Sequence, residues 1–374
     1  MGIRYSLISS EERAQAQSEE LIREARLRPF KLGDLFRNKQ KKYKKELLTA
    51  RSRFQSRFEA NACPKEQLEN FRNLGYVSRG AFGIVFKVKY LRDGRVFALK
   101  QQPKQSFNEA NRPRALKEKK VQYALQNHFV LELVFAFQDA ENLYLISPYA
   151  EHGDLERFMG AGRLSERVVK LLGAQMILGL EYLHSCDVCY RDLKPNNVFI
   201  FEDGYLKLGD FGLAKMMRQE DTTYTFTGSP RYMAPEMFLE DGYQRIVDFY
   251  ALGVTLFECL YDQLPFAGRN WSDPPAEGRK VIPKFPEHVD EESSAFDFFC
   301  WLLADNPNFR LGVRHGVNGI KEHPFFDGVE FKYFISKRAR LRVLLPPINP
   351  AFVEREQSWP RPSGLEDIDP FIHF

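Results

Sequence analysis

Long apolar runs are missing from this sequence: no stretch reaches the roughly 20 residues a membrane-spanning helix needs, so the chain reads as soluble and globular. Cysteine is scarce too. The five present, Cys63, Cys186, Cys189, Cys259 and Cys300, are odd in number, and only the loose pair Cys186 and Cys189 matches half of a zinc pattern. That excludes a disulfide-stapled secreted domain and points to structural thiols in a reduced, intracellular protein. A formal net charge of +4 is too small to mark a nucleic-acid binder, although the basic excess gathers before residue 60. The N-terminus is polar where a secretory signal carries its apolar core. What is present, 44% hydrophobic and 28% charged residues over 374 positions, suffices for a full core and roughly two domains.

One stretch organises the rest: Arg191-Asp192-Leu193-Lys194-Pro195-Asn196-Asn197, followed by Asp210-Phe211-Gly212. Between them lie Phe199-Ile200-Phe201, the turn signal Glu202-Asp203-Gly204, and Tyr205-Leu206-Lys207-Leu208, so both acidic motifs fall at the loop ends of short strands. In that setting Asp192 is placed to accept a hydroxyl proton and Lys194 to stand as a cation near a transferring group. Asn197 and Asp210 offer oxygen ligands of the kind magnesium takes. The order of Arg-Asp, four residues, Asn, then Asp-Phe-Gly resembles the signature of eukaryotic protein kinases.

Upstream, short strands begin at Phe71, and Ser78-Arg79-Gly80-Ala81-Phe82-Gly83 joins two of them. Glycine in such a loop lets backbone approach phosphate oxygens. Against the family pattern, Ser78 stands where the first glycine is usual, and Gly80, Gly83 and Val85 are in place. The hairpin signal Asp93-Gly94 precedes Val96-Phe97-Ala98-Leu99-Lys100. The resemblance implies that Lys100 holds nucleotide phosphates and that Glu118, on the helical segment from Ala115 to Leu125, is its ion-pair partner. It also implies that adenine docks near Ala98, Pro148 and Ala150. Ser147 falls at a position usually bulky, which predicts an open recess behind the base. Asp154 matches an acid that touches the ribose and a substrate arginine.

Downstream, Val168 to His184 carries helical periodicity and delivers the catalytic stretch. Thr225 resembles the activation-loop phosphorylation site of the AGC group, which implies that Arg191 and Lys215 hold a phosphate there. Ser229 matches the hydroxyl beside the catalytic acid in serine/threonine kinases. Glu236 is expected to pair with Arg310, Asp248 to brace the catalytic loop from below, and Glu258 to select basic residues in a substrate. The tail ends in Phe371-Ile372-His373-Phe374, similar to the terminal motif that AGC kinases tuck into their small lobe; a frayed end is the open alternative.

Together these residues resemble an AGC-group serine/threonine kinase and are similar to the pattern of the cyclic-AMP-dependent enzyme. The fold this implies is α+β and bilobal: a small antiparallel β lobe with helix C, and a larger, mainly α-helical lobe. Residues 1–70 are expected to form a basic extension with an amphipathic helix, 71–326 the kinase domain (small lobe 71–149, large lobe 150–326), and 327–374 an AGC-type tail. ATP and Mg2+ are the implied cofactors. The expected partners are protein substrates, an activating kinase at Thr225 and a regulatory subunit, with no nucleic acid. Gly2 and Ser6 fit the N-myristoylation pattern. The expected location is cytoplasmic, with peripheral membrane contact through the N-terminus if Gly2 is acylated. A catalytically weak pseudokinase serving as a nucleotide-binding scaffold stays open as the alternative. A dinucleotide-binding oxidoreductase does not, because the glycine loop joins two strands instead of opening a helix.

Overall fold

The computed structural model describes residues 32–80, 83–109, 112–160, 162–266, 282–339, 341 and 359, with side chains from residue 38 onward. Gly2, Phe371 and Phe374 lie outside them.

A 29-residue helix, α1 (Leu32–Ala60), comes first. Tyr43, Ala50 and Phe54 recur at helical spacing and are buried, while the lysines between them face solvent. The Tyr43 hydroxyl donates to Glu181 at 2.6 Å in the large lobe, and Arg57 donates to the Tyr123 carbonyl at 2.9 Å in the small one. The helix therefore bridges both lobes.

The small lobe is a five-stranded antiparallel sheet in the order β1-β2-β3-β5-β4. Its strands are β1 (Phe71–Gly80), β2 (Gly83–Tyr90), β3 (Val96–Pro103), β4 (Phe135–Gln138) and β5 (Asn142–Pro148), with helix α2 (Arg112–Ala124) inserted after β3. The Asp93-Gly94 turn closes β2 onto β3, with Gly94 at φ 77°, a left-handed conformation that glycine adopts without strain. Phe71, Phe86, Phe97, Phe137 and Tyr144 fill one face of this sheet, and Trp359 packs edge-on against Phe86 at 5.6 Å.

The large lobe is built on α4 (Glu166–Ser185), which follows the short α3 (Leu155–Met159), and on α5 (Val247–Tyr261). Val169, Leu172, Met176, Ile177, Leu180 and Leu183 of α4 are buried at spacings of three and four. Each such side chain contributes roughly 1.5–3 kcal/mol of burial. α5 is almost wholly buried, as its apolar sequence on all sides requires. Helices α6 (Ser294–Leu302), α7 (Gly316–Lys321) and α8 (Phe331–Ile335) complete the lobe, with Phe298 stacked on Phe325 at 4.5 Å. Two-stranded ribbons, β6 (Val188–Cys189) with β9 (Lys215–Met216) and β7 (Val198–Ile200) with β8 (Leu206–Leu208), carry the acidic motifs at their ends. Arg310 and Glu236, 74 residues apart, meet as a buried bidentate pair at 2.5 and 2.8 Å. No described helix is long and apolar enough to cross a membrane. Cys63, Cys186, Cys189 and Cys259 are free and buried.

Candidate active site

The cleft between the lobes collects most of the residues the sequence singles out. Lys100, midway along β3, donates to Glu118 of α2 at 2.7 Å. Burial disfavours the ammonium, but the carboxylates of Glu118 and Asp210 outweigh it and hold the Lys100 pKa above its ordinary value. Asp210 answers from the large lobe. Burial opposes its charge, yet Lys100, the Gly212 N–H, Arg114 and Lys194 together draw its pKa below the usual carboxylate range. A cation of one lobe and an acid of the other thus sense each other across the cleft.

Asp192 lies at the centre of a hydrogen-bonded set. Its Oδ1 accepts from the Ser229 hydroxyl at 2.8 Å, and its Oδ2 accepts from Lys194 Nζ at 3.0 Å and Asn197 Nδ2 at 2.8 Å. Lys194 also donates to Ser229 Oγ at 2.7 Å. Asn197 commits its amide nitrogen to Asp192, so its carbonyl oxygen is the atom it has to offer a cation. That oxygen and the ionised Asp210 carboxylate are hard donors, which suit magnesium.

The loop is held from beneath by Asp248, whose side chain is fully buried. It accepts from the backbone N–H of Tyr190 at 2.9 Å and of Arg191 at 2.7 Å, and lies 2.8 Å from His184 Nε2. Arg191 and Asp210 both take left-handed backbone, φ 69° and 56°, on either side of the site. Such a conformation costs a non-glycine residue energy that surrounding bonds must hold. Tyr190 donates its hydroxyl to the Gly209 carbonyl and packs on Phe211 at 5.5 Å, tying the two motifs together.

On the glycine-rich hairpin, Ser78 pairs with Val85 and does not adopt left-handed backbone, so nothing there demands glycine. Gly83 is different. A Cβ on it would lie 2.2 Å from the Gln101 carbonyl oxygen, whereas one on Gly80 would meet nothing within 4 Å. Ala81 and Phe82, at the tip, lie outside the described residues. Val85 pairs with Lys100, and Ala98 with Ser147. Pro148 ends β5, and Ala150 accepts from the Gly153 N–H at 3.1 Å in the turn toward α3. Asp154 caps that helix, accepting from the Arg157 N–H at 2.9 Å, and burial raises its pKa.

The structure departs from the sequence reading at Ser147, and further contacts join the site around it. The recess expected behind Ser147 is occupied: Gln122 Nε2 lies 3.1 Å from Ser147 Oγ. Neither Arg191 nor Lys215 touches the Thr225 hydroxyl directly. Lys215 donates to Thr223 Oγ1 at 2.5 Å, Arg191 donates to Tyr243 at 3.1 Å, and the Tyr243 hydroxyl donates to the Thr225 carbonyl at 2.6 Å. Thr225 itself is exposed. Lys117 of α2 joins this basic group: burial and then its neighbours Arg191 and Lys215 lower its pKa. Glu156, unflagged by any motif, accepts from the Asn196 amide and so brings a carboxylate to the catalytic loop. Glu258 accepts from the Tyr232 hydroxyl at 2.7 Å, and burial raises its pKa.

A small-lobe lysine–glutamate pair facing a metal-type carboxylate, with a second carboxylate holding a hydroxyl, defines a phosphoryl-transfer class of site. Residues 70–326 match the protein kinase domain family. The chain is 33% identical over 305 residues to the serine/threonine-protein kinase gad8 of Schizosaccharomyces pombe, covering 80% of this chain and 52% of that protein. It is 35% identical over 293 residues to a putative ribosomal protein S6 kinase alpha-1 of Caenorhabditis elegans, covering 77% and 36%. With the serine/threonine-protein kinase YPK1 of Saccharomyces cerevisiae it shares 33% over 290 residues, covering 76% and 41%. The chain therefore belongs to the protein kinase family, in its AGC serine/threonine group. It spans about half the length of gad8 and less of the other two.

Proposed function

We propose that this chain transfers the γ-phosphoryl group of ATP to serine or threonine hydroxyls of proteins. The observation that carries the reading is the Asp192 carboxylate: one oxygen already holds a serine hydroxyl while the other is fixed by Lys194 and Asn197. A substrate hydroxyl presented to that oxygen is oriented for attack, and Asp192 accepts its proton. Lys194 screens charge on the moving group, and Lys100, aligned by Glu118, positions the phosphates of the donor. The hairpin carrying Ser78, Gly80, Gly83 and Val85 covers those phosphates. Ala98, Pro148 and Ala150 flank the base, and Asp154 meets the ribose.

The family works on ATP with magnesium. In this chain Asn197 and Asp210 are the residues fitted to hold the metal, whose chemistry is to neutralise charge on the phosphates. Retention of Lys100, Asp192, Asn197 and Asp210 argues against the pseudokinase alternative. Asp154 and Glu258 support a preference for basic residues near the target. Thr225 is the site for an activating kinase, its phosphate drawing Arg191 and Lys215. Phe371 and Phe374 carry the regulatory role that the tail motif implies, and a regulatory subunit is a further partner. The protein acts in the cytoplasm, at membranes if Gly2 is acylated, which metabolic labelling with a myristate analogue checks.

The test is phosphorylation of an arginine-scanned serine peptide library with and without magnesium. Metal-dependent transfer that favours basic peptides and vanishes in Asp210→Ala supports the reading. Binding of ATP without transfer to any peptide or protein would instead favour the scaffold.

A further inference from the structure

Ser147 pairs with Ala98 of β3, and Lys100, two residues on, pairs with Val85 of β2. Antiparallel partners share a face of the sheet, so Val85, Ala98, Lys100 and Ser147 all point to the face where Glu118 meets Lys100. Gln122 stands one helical turn beyond Glu118 on α2 and so reaches the same face. Its Nε2 donates to Ser147 Oγ at 3.1 Å and to the Leu131 carbonyl at 3.3 Å. Both side chains are buried, at 5% and 8% exposure.

A serine at position 147 leaves room that a bulkier residue would fill, but no ligand substituent passes between groups 3.1 Å apart. An amide nitrogen carries two hydrogens, and here they meet two acceptors. Swinging Gln122 aside strands both of those acceptors in a buried site, which disfavours the open rotamer by roughly five- to hundredfold.

We infer that Gln122, reaching over from the helix, sets the size of purine this cleft accepts, and that its bond to Ser147 holds it in the blocking position. The inference rests on the cleft being the nucleotide site. The same residue links the base pocket to the helix that carries Glu118, so the back wall of the slot and the lysine's partner move as one unit. A size limit set by a hydrogen-bonded amide differs from one set by a bulky strand residue, because removing the bond alone relaxes it.

The test is calorimetric binding of magnesium-ATP and of an ATP analogue with a benzyl group on its exocyclic amine. The proteins are the full chain and its Gln122→Ala, Gln122→Leu and Ser147→Ala variants, each checked for folding by thermal melting. The unaltered chain should bind the analogue at least about tenfold more weakly than ATP, and Gln122→Ala should recover most of that loss. Gln122→Leu keeps the volume without either hydrogen bond and should narrow the gap, by less than Gln122→Ala does. Ser147→Ala removes the anchor without adding bulk and should narrow the gap by several-fold, a readout that stands even if Gln122→Ala does not fold. Equal affinity of the unaltered chain for both nucleotides overturns the proposal, as does a folded Gln122→Ala that binds ATP and still rejects the analogue. Failure of the unaltered chain to bind ATP overturns the nucleotide reading beneath it.

Discussion

Asp248→Asn alters one atom and tests how the catalytic loop is held. The carboxylate accepts two backbone N–H bonds, one on each oxygen, and the oxygen facing Tyr190 also meets His184. An asparagine must set its NH2 against one of those N–H groups in either orientation. At least one fully buried donor is therefore stranded, and one bond to a charged group is lost. An unsatisfied buried donor costs about 1–3 kcal/mol and a charged hydrogen bond is worth about 1.5–3 kcal/mol, so a loss of roughly 2–5 kcal/mol is expected. That is a large share of the roughly 5–15 kcal/mol of a whole domain. The N–H of Arg191 is one of the two, and its left-handed φ of 69° is held by this bond. Release lets Arg191 relax and carries Asp192 away from Ser229. Urea unfolding should show the midpoint fall at constant slope, and kcat at saturating ATP should fall further than the folded fraction explains. A variant within about 0.5 kcal/mol of the parent, with kcat intact, would refute the bracing argument.

Gly83→Ala places a Cβ against the Gln101 carbonyl oxygen, at 2.2 Å unless the hairpin moves. Calorimetry should show nucleotide affinity reduced about tenfold or more, as clashes of about 1–3 kcal/mol produce. Glu236→Gln leaves the Arg310 guanidinium buried without its counter-charge, and chemical denaturation should register a loss of about 3–5 kcal/mol. His128 has its pKa pushed down to about 3, first by burial and then by Lys337 and Lys207. Its folded pKa lies below the unfolded value of about 6.5, so between the two only the unfolded chain binds the proton. The stability is present above about pH 6.5 and lost as pH falls toward the folded value, by at most about 1.4 kcal/mol per pH unit. His128→Gln should flatten the decline in melting temperature between about pH 7 and about pH 5; an unchanged slope would place its source elsewhere.

What the sequence discloses and what it withholds divide along physical lines. Asp192, Asn197 and Asp210 are readable because short loops fix their spacing along the chain, and Lys100 because a charge in an apolar strand stands out. The Arg310–Glu236 pair is readable only through family resemblance, since 74 residues separate its members. The bond between Gln122 and Ser147 follows no motif: it depends on how α2 docks on the sheet. Its one trace is the spacing of four from Glu118, which puts both side chains on one helix face. Glu156 is hidden for a similar reason, because its tie to Asn196 spans 40 residues and joins two surface segments. Lys117 reads as one more charge on a basic helix until the fold sets it beside Arg191 and Lys215. Trp359, in a proline-rich stretch without periodicity, gives no sign along the chain that it packs on Phe86.

The most direct measurement is the single-turnover rate of phosphoryl transfer to a serine peptide by Asp192→Asn, set beside its affinity for ATP. An asparagine can still accept the hydroxyl's hydrogen bond but takes up no proton, so the rate should drop about 100- to 10,000-fold while ATP binds within about threefold of the parent. Transfer at the parental rate would contradict the role assigned to Asp192 and, with it, the account of this cleft.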